Sequence, residues 1–113
     1  MSISDLIGTP FAQMRCWDLV REVYRREGKM LPDYTALLAD GRPAAGAYLK
    51  EIKKPEKGCI CVYSLHGRLV DHVAVYLGEN RIIHATEGVG VCIEPYSRYL
   101  CRLKYMYRYR RET

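Results

Sequence analysis

Between residues 17 and 27 the side chains of Val20, Val23, Tyr24 and Glu27 fall at helical spacing below Cys16, which predicts an amphipathic helix beginning at that cysteine. Gly28 supplies its C-terminal stop. Ahead of it the pattern predicts a short helix over 3–7, closed by Gly8 and Pro10. Residues 31–55 show no sustained period. Pro32, Gly41, Pro43 and Gly46 break them into short helical pieces and loops. From Gly58 onward the period becomes two. Strands are predicted over 59–65, 70–77, 81–86 and 89–94, then a helical turn over 95–100 and a final strand. In that strand Leu103, Tyr105, Tyr107 and Tyr109 alternate with Arg102, Lys104, Met106, Arg108 and Arg110, which reads as tyrosines on a core and basic groups in water. Helices followed by an antiparallel sheet make an α+β domain.

The segment 70–86 carries a register requirement. His72, Ala74 and Tyr76 share one strand face, and Ile82 and His84 share one face of the next strand. With Gly78, Glu79 and Asn80 as a three-residue loop, Ala74 lies opposite His84 and His72 becomes its diagonal neighbour, about 7–8 Å away, within reach for two imidazoles. A two-residue loop shifts the pairing by one and sends the rings to opposite faces.

Composition bounds the alternatives. A chain of 113 residues forms one domain, 1–113. No run approaches the ~20 apolar residues of a membrane span. Residues 1–5 lack the basic and apolar stretches of a secretory signal, so synthesis in the cytoplasm is expected, with no membrane span. The net charge of +5 favours an acidic partner without choosing one. The five cysteines, Cys16, Cys59, Cys61, Cys92 and Cys101, are expected as free thiols. No closely spaced Cys or His ligand pair calls for a metal, and no cofactor is expected.

Cys16, His72 and His84 together contain the parts of a thiol-based acyl transfer. A thiol at a helix N-terminus is placed where the macrodipole favours the thiolate, and Arg15 beside it adds positive charge. A strand-borne imidazole, His72, acts as base, and a second, His84, orients the first by a ring-nitrogen hydrogen bond. Simpler roles are expected nearby. Asp18 suits the first helical turn, Asp71 reads as a solvated strand residue and His66 as an exposed turn residue.

Gly8-Thr9-Pro10-Phe11, Cys16-Trp17-Asp18-Leu19-Val20, His72-Val73-Ala74-Val75-Tyr76-Leu77-Gly78 and Ile83-His84-Ala85 together resemble the NlpC family of peptidoglycan cysteine peptidases. Cys-Trp in place of Cys-Ser-Gly is most similar to the short branch found in phage tails and prophages. The resemblance implies a papain-like α+β fold, with the nucleophile's helix packed on an antiparallel sheet of about five or six strands. It implies cleavage of amide bonds in peptidoglycan stem peptides without metal or cofactor, with Cys16 as nucleophile, His72 as general base and His84 as the orienting third member. Phe11, Arg15, Trp17 and Tyr76 are the expected substrate-binding residues, with Tyr63 and Tyr96 as further candidates to line the cleft. The expected partners are the wall peptide and phage tail proteins, and the expected place of action is the cell wall, reached with a virion tail. Arg15 stands where the family usually has an acidic or amide residue, and Phe11 where it commonly has tyrosine. These departures motivate a second reading, a structural tail or assembly component without activity. A thiol amidase or acyltransferase on another substrate is a third. Nucleic-acid binding, resting on charge and the Tyr/Arg strand alone, comes last.

Overall fold

The computed structural model describes residues 2–31, 38–39, 42–43, 48–67 and 69–110. Among the described residues one α-helix, α1 (Cys16–Arg25), lies against a six-stranded antiparallel sheet. The strands are β3 (Leu49–Ile52), β4 (Ile60–Tyr63), β5 (His72–Gly78), β6 (Arg81–Thr86), β7 (Gly90–Pro95) and β8 (Leu103–Tyr109), in the order β3-β8-β4-β5-β6-β7. A separate pair, β1 (Leu38–Ala39) and β2 (Arg42–Pro43), precedes them. The α+β class and a sheet of six strands match the sequence-based expectation. The first helical segment is only a 3-10 turn over Ser4–Leu6, and a second 3-10 segment, Tyr96–Arg102, joins β7 to β8. Where helical pieces were expected in 31–55, residues 49–52 instead form β3, an edge strand paired to β8 (Leu49 opposite Tyr109). The remaining pieces expected at 32–37, 40–41 and 44–47 lie outside the described residues.

Strand alternation gives the sheet two different buried faces. Ile60, Val62, Val73, Val75, Ile83, Ala85 and Val91 meet Leu19, Val20, Val23 and Tyr24 of α1. This aliphatic layer carries the hydrophobic stabilisation of the helix. The opposite face presents Cys59, Cys61, Tyr63, Ala74, Ile82 and Met106, covered by Tyr96 and Tyr99 of the 3-10 segment. Met106, expected in water with the basic residues of its strand, is therefore core, because the 3-10 segment closes over that face as well.

Local devices fix where α1 begins. Asp18 accepts a hydrogen bond from the main-chain N–H of Arg15 at 3.1 Å, securing the first turn. The chain before it is laid along the edge of β7, with Gly8 N–H donating to Val91 O (2.8 Å) and Val91 N–H donating to Thr9 O (3.0 Å). Only glycine fits at position 90, where φ is +86° and a Cβ would stand 2.3 Å from the Thr9 carbonyl oxygen. At the other end of α1 the Tyr24 hydroxyl donates to the Gly58 carbonyl, tying the helix to the loop before β4.

The β5–β6 connection departs from the three-residue loop in an instructive way. Gly78 pairs directly with Arg81, so the turn is only Glu79-Asn80, with φ of 55° and 59°. Two successive left-handed residues make the tight hairpin turn whose twist matches the strands. By itself that turn would invert the faces. The register then shifts between Tyr76 and Gly78: Tyr76 pairs with Ile82, and Leu77 is an extra residue on β5. Val75 stands opposite Ile83, and one step further in that register Ala74 comes opposite His84. The odd count the histidines require is met by a bulge rather than by loop length.

Candidate active site

His72 opens β5 and His84 lies near the end of β6, both on the sheet face turned away from α1. Their rings meet as the register requires, with His72 Nε2 and His84 Nδ1 2.9 Å apart. Both are buried, at 9% and 1% exposure. Tyr63 packs on His72 (ring centroids 6.0 Å) and Tyr99 on His84 (5.4 Å). Burial, joined by the charge of His84, holds His72 down to about 4. Burial also lowers His84, against the opposing pull of Glu94.

Cys16, the first residue of α1, shares a cleft with His72. The main-chain N–H groups of Val73, the residue after His72, and of Trp17 and Cys16 itself favour its thiolate form. Burial nevertheless outweighs these donors and pushes the thiol above its ordinary value, with Asp18 adding to the rise. The expectation of a ready thiolate is thus corrected for the resting site, because desolvation of the anion exceeds what the helix terminus returns. At neutral pH the pair is a thiol and a neutral imidazole.

Cys16 and His72 line one cleft of about 430 Å³, together with Phe11, Leu65, His66, Asp71, Ala85, Thr86 and Glu87. Of the residues expected to bind substrate, Phe11 is in this cleft, and the Arg15 guanidinium sits 5.8 Å from its ring centroid. Trp17 and Tyr76 are elsewhere. Trp17 is buried in the helix-side core, and Tyr76 packs on Tyr96 (4.9 Å) beyond the hairpin end of the opposite face. Tyr63 and Tyr96 likewise lie in the second core rather than along the cleft. Helical and strand periodicity placed these aromatics on the right elements, but which face meets the cleft depends on where the helix crosses the sheet.

Three residues gain roles that their sequence context concealed. Asp71 is no free strand residue: its carboxylate accepts from the main-chain N–H of Leu65 (2.8 Å) and His66 (3.0 Å) and bonds His66 Nδ1 (3.0 Å). Those donors hold its carboxyl below the usual range despite burial, and they shape the cleft wall. Glu94 is the third. Its Oε1 lies 3.0 Å from His84 Nε2, and its Oε2 accepts from Arg98 Nη1 (2.7 Å) and Tyr99 OH (2.9 Å). Burial opposes its ionisation, yet hydrogen bonds from Tyr99, His84 and Arg98 hold it down to about 2. The signal for Glu94 was present in strand alternation: Cys92 pairs with His84 and Glu94 with Ile82, which puts Glu94 diagonal to His84 on the same face. Finding it needed the β6–β7 register.

Among the described residues, the donor atoms of His84, Cys92 and Glu94 converge within 4.8 Å. They are already committed to one another, and the Arg98 cation on the same carboxylate works against a metal dication there. Cys59, just before β4, and Cys61, on it, are buried free thiols within the second core. No helix among the described residues is long and apolar enough to cross a membrane.

The sequence model of the NlpC/P60 family matches residues 6–110. Similar solved structures include an NlpC/P60 family protein from Bacillus cereus ATCC 10987, with TM-score 0.65, 23% identity, and coverage of 84% of this chain and 31% of that one. Another is a protein similar to lipoprotein, of the NLP/P60 family, from Staphylococcus aureus subsp. aureus Mu50, with TM-score 0.65, 22% identity, and coverage of 92% and 37%. The chain thus spans about a third of the length of each of these proteins. No curated protein matches it.

Proposed function

Because the chain belongs to the NlpC/P60 family, we propose that it is a cysteine peptidase hydrolysing amide bonds in the stem peptides of bacterial peptidoglycan. The observation that carries this reading is the meeting of Cys16 and His72 in one cleft, with the imidazole backed by His84. Cys16 is the nucleophile, His72 the general base and His84 the group that orients it. With thiol and imidazole both neutral at rest, the proton moves as attack occurs. The Cys16 sulfur bonds the scissile carbonyl carbon while its proton passes to His72. The carbon–nitrogen bond then breaks, and the leaving amine takes the proton back from His72, leaving an acyl-thioester. Water, deprotonated by His72, cleaves the thioester and restores the thiol. The main-chain N–H of Cys16, at the helix start, is a donor for the oxyanion that forms on attack. The protein's own residues supply every group in these steps, so the reading includes no metal or cofactor.

The finer setting belongs to the same proposal. The short Cys-Trp form points to an enzyme encoded by a phage or prophage, made in the cytoplasm and brought to the wall with tail proteins. The test is digestion of purified cell walls and defined muropeptides, with products identified by mass. Wild type is expected to release peptide fragments, and Cys16→Ala and His72→Ala none above background. Identical product lists from wild type and Cys16→Ala would overturn the proposal. That outcome would favour the second reading, an inert component that keeps the fold, for which Arg15, Phe11 and the raised thiol are the motivating features.

A further inference from the structure

The hydrogen bonds behind His72 have a direction, and it is set at Glu94. An ionised carboxylate only accepts. Glu94 Oε2 is occupied by two donors, Arg98 Nη1 at 2.7 Å and Tyr99 OH at 2.9 Å. Oε1 faces His84 Nε2 at 3.0 Å and the Cys92 thiol at 3.6 Å. His84 Nε2 must therefore carry its ring's hydrogen, which leaves His84 Nδ1 with a lone pair. That lone pair faces His72 Nε2 at 2.9 Å, so in the neutral pair His72 Nε2 carries the hydrogen. The unprotonated nitrogen that the pair presents to the cleft is His72 Nδ1. We infer that Glu94, clamped by Arg98 and Tyr99, is the positioning residue that fixes the proton register of the two imidazoles and leaves the basic lone pair on His72 Nδ1. The inference rests on the proposed role of His72 as base.

The other polar groups around the pair leave this assignment to Glu94. His66 and Asp71, from the connection before β5, bond to each other, and Asp71 is further committed to main-chain N–H groups. Tyr63 from β4 meets His72 through its ring, and Cys92 from β7 donates to the same Glu94 oxygen. The anion on Glu94 also favours the imidazolium that forms on His72 when Cys16 gives up its proton, through the intervening His84 ring.

The consequence separates this role from a packing role. In Glu94→Gln the amide must turn its oxygen to Arg98 and Tyr99, because Arg98 cannot face an amino group. Its NH₂ then faces His84 Nε2 and donates to it. His84 is forced to the Nδ1–H form, His72 Nε2 becomes the acceptor, and His72 Nδ1 carries the hydrogen. The near-isosteric variant inverts the register, whereas Glu94→Ala only leaves it undetermined. Adding Arg98→Ala to Glu94→Gln frees the amide to turn its oxygen back to His84.

The experiment measures tautomers by nitrogen-15 NMR of the two histidines above pH 7 and, separately, kcat and KM on a muropeptide. Wild type is expected to show Nε2–H on both rings, Glu94→Gln Nδ1–H on both, and the Glu94→Gln/Arg98→Ala pair a return to Nε2–H. Wrong-tautomer substitutions in acyl-transfer triads cost about 10⁴-fold in kcat. One ring further out, Glu94→Gln is expected to lose about 10²-fold or more in kcat with KM little changed, and more than Glu94→Ala. Unchanged Nε2–H forms in Glu94→Gln, or a milder loss than in Glu94→Ala, would overturn the inference. Should Glu94→Gln fail to fold, by near-ultraviolet circular dichroism, Glu94→Ala decides: mixed His72 tautomers support the role and a single unchanged one refutes it. If wild type and Cys16→Ala prove equally inert, the peptidase reading falls, and the tautomer measurement still judges the register on its own.

Discussion

The two faces of the one sheet are built on opposite terms. Toward α1 the contacts are aliphatic and non-directional: Val73, Val75 and Ile83 against Leu19, Val20 and Val23. Away from α1 the same strands bury His72 and His84, each depending on a particular partner. The first face is held by area removed from water and tolerates swaps that conserve volume. The second is held by satisfied hydrogen bonds, where the loss of one partner strands another polar group in a medium that cannot solvate it. The aliphatic packing therefore lies on one side of the sheet and the paired imidazoles on the other, and the first residue of α1 lines the same cleft as His72.

Deleting Leu77 should break that division most severely. Without the bulge the turn Glu79-Asn80 sets the pairing, and His84 moves to the α1 face while Ile83 leaves it. Loss of both hydrolysis and cooperative unfolding is expected; retention of wall digestion would show that the register does not depend on the bulge. Leu19→Ala comes next. Leu19 is fully buried, so about 2–5 kcal/mol of stability should be lost in urea unfolding. Activity per folded molecule should stay unchanged, because the aliphatic face takes no part in the proposed chemistry.

Between pH 6.5 and about 4, acid should act first on the polar face. His72 sits at about 4 in the folded chain, against 6.5 for the free side chain. Above pH 6.5 neither state binds this proton and its contribution to stability is complete. As pH falls from 6.5 to about 4 the unfolded state binds the proton first, and roughly 3 kcal/mol is lost. A Tm series across that window measures it, and His72→Phe should flatten the slope. The acid limb of kcat/KM should lie near pH 4 for the same reason, and a limb near 6.5 would contradict a buried neutral base. Smaller still is Tyr99→Phe, which removes one of the hydrogen bonds on Glu94 and should cost about 1 kcal/mol. Smallest is Tyr63→Phe. Among the described residues the buried Tyr63 hydroxyl has no hydrogen-bond partner beyond the weak thiol of Cys61, so its removal should be neutral or slightly stabilising by thermal unfolding.

Several features were legible from the chain because their causes are local. Helix periodicity below Cys16, the Asp18 first turn and the shared face of His72, Ala74 and Tyr76 depend on residues a few positions apart. Strand β3 was not legible. Residues 49–52 have no strong alternation of their own and become a strand because β8 offers a free edge. Nor was the burial of Met106, which follows from the 3-10 segment folding over its face. Tyr76 and Trp17 were assigned to the right elements and the wrong surroundings, since each depends on which element covers its face.

By itself the sequence determined the α+β class, the shared strand face of His72 and Ala74, and the demand that Ala74 oppose His84 if the two rings are to meet. All of these follow from side-chain chemistry and backbone periods. Tertiary structure alone decided how that demand is met, through a tight turn and a bulge at Leu77. It also decided that the Cys16 thiol is protonated at rest, and that Glu94 stands behind His84. Those outcomes depend on desolvation and on register between strands, and neither is a property of any residue until its neighbours across the sheet are in place.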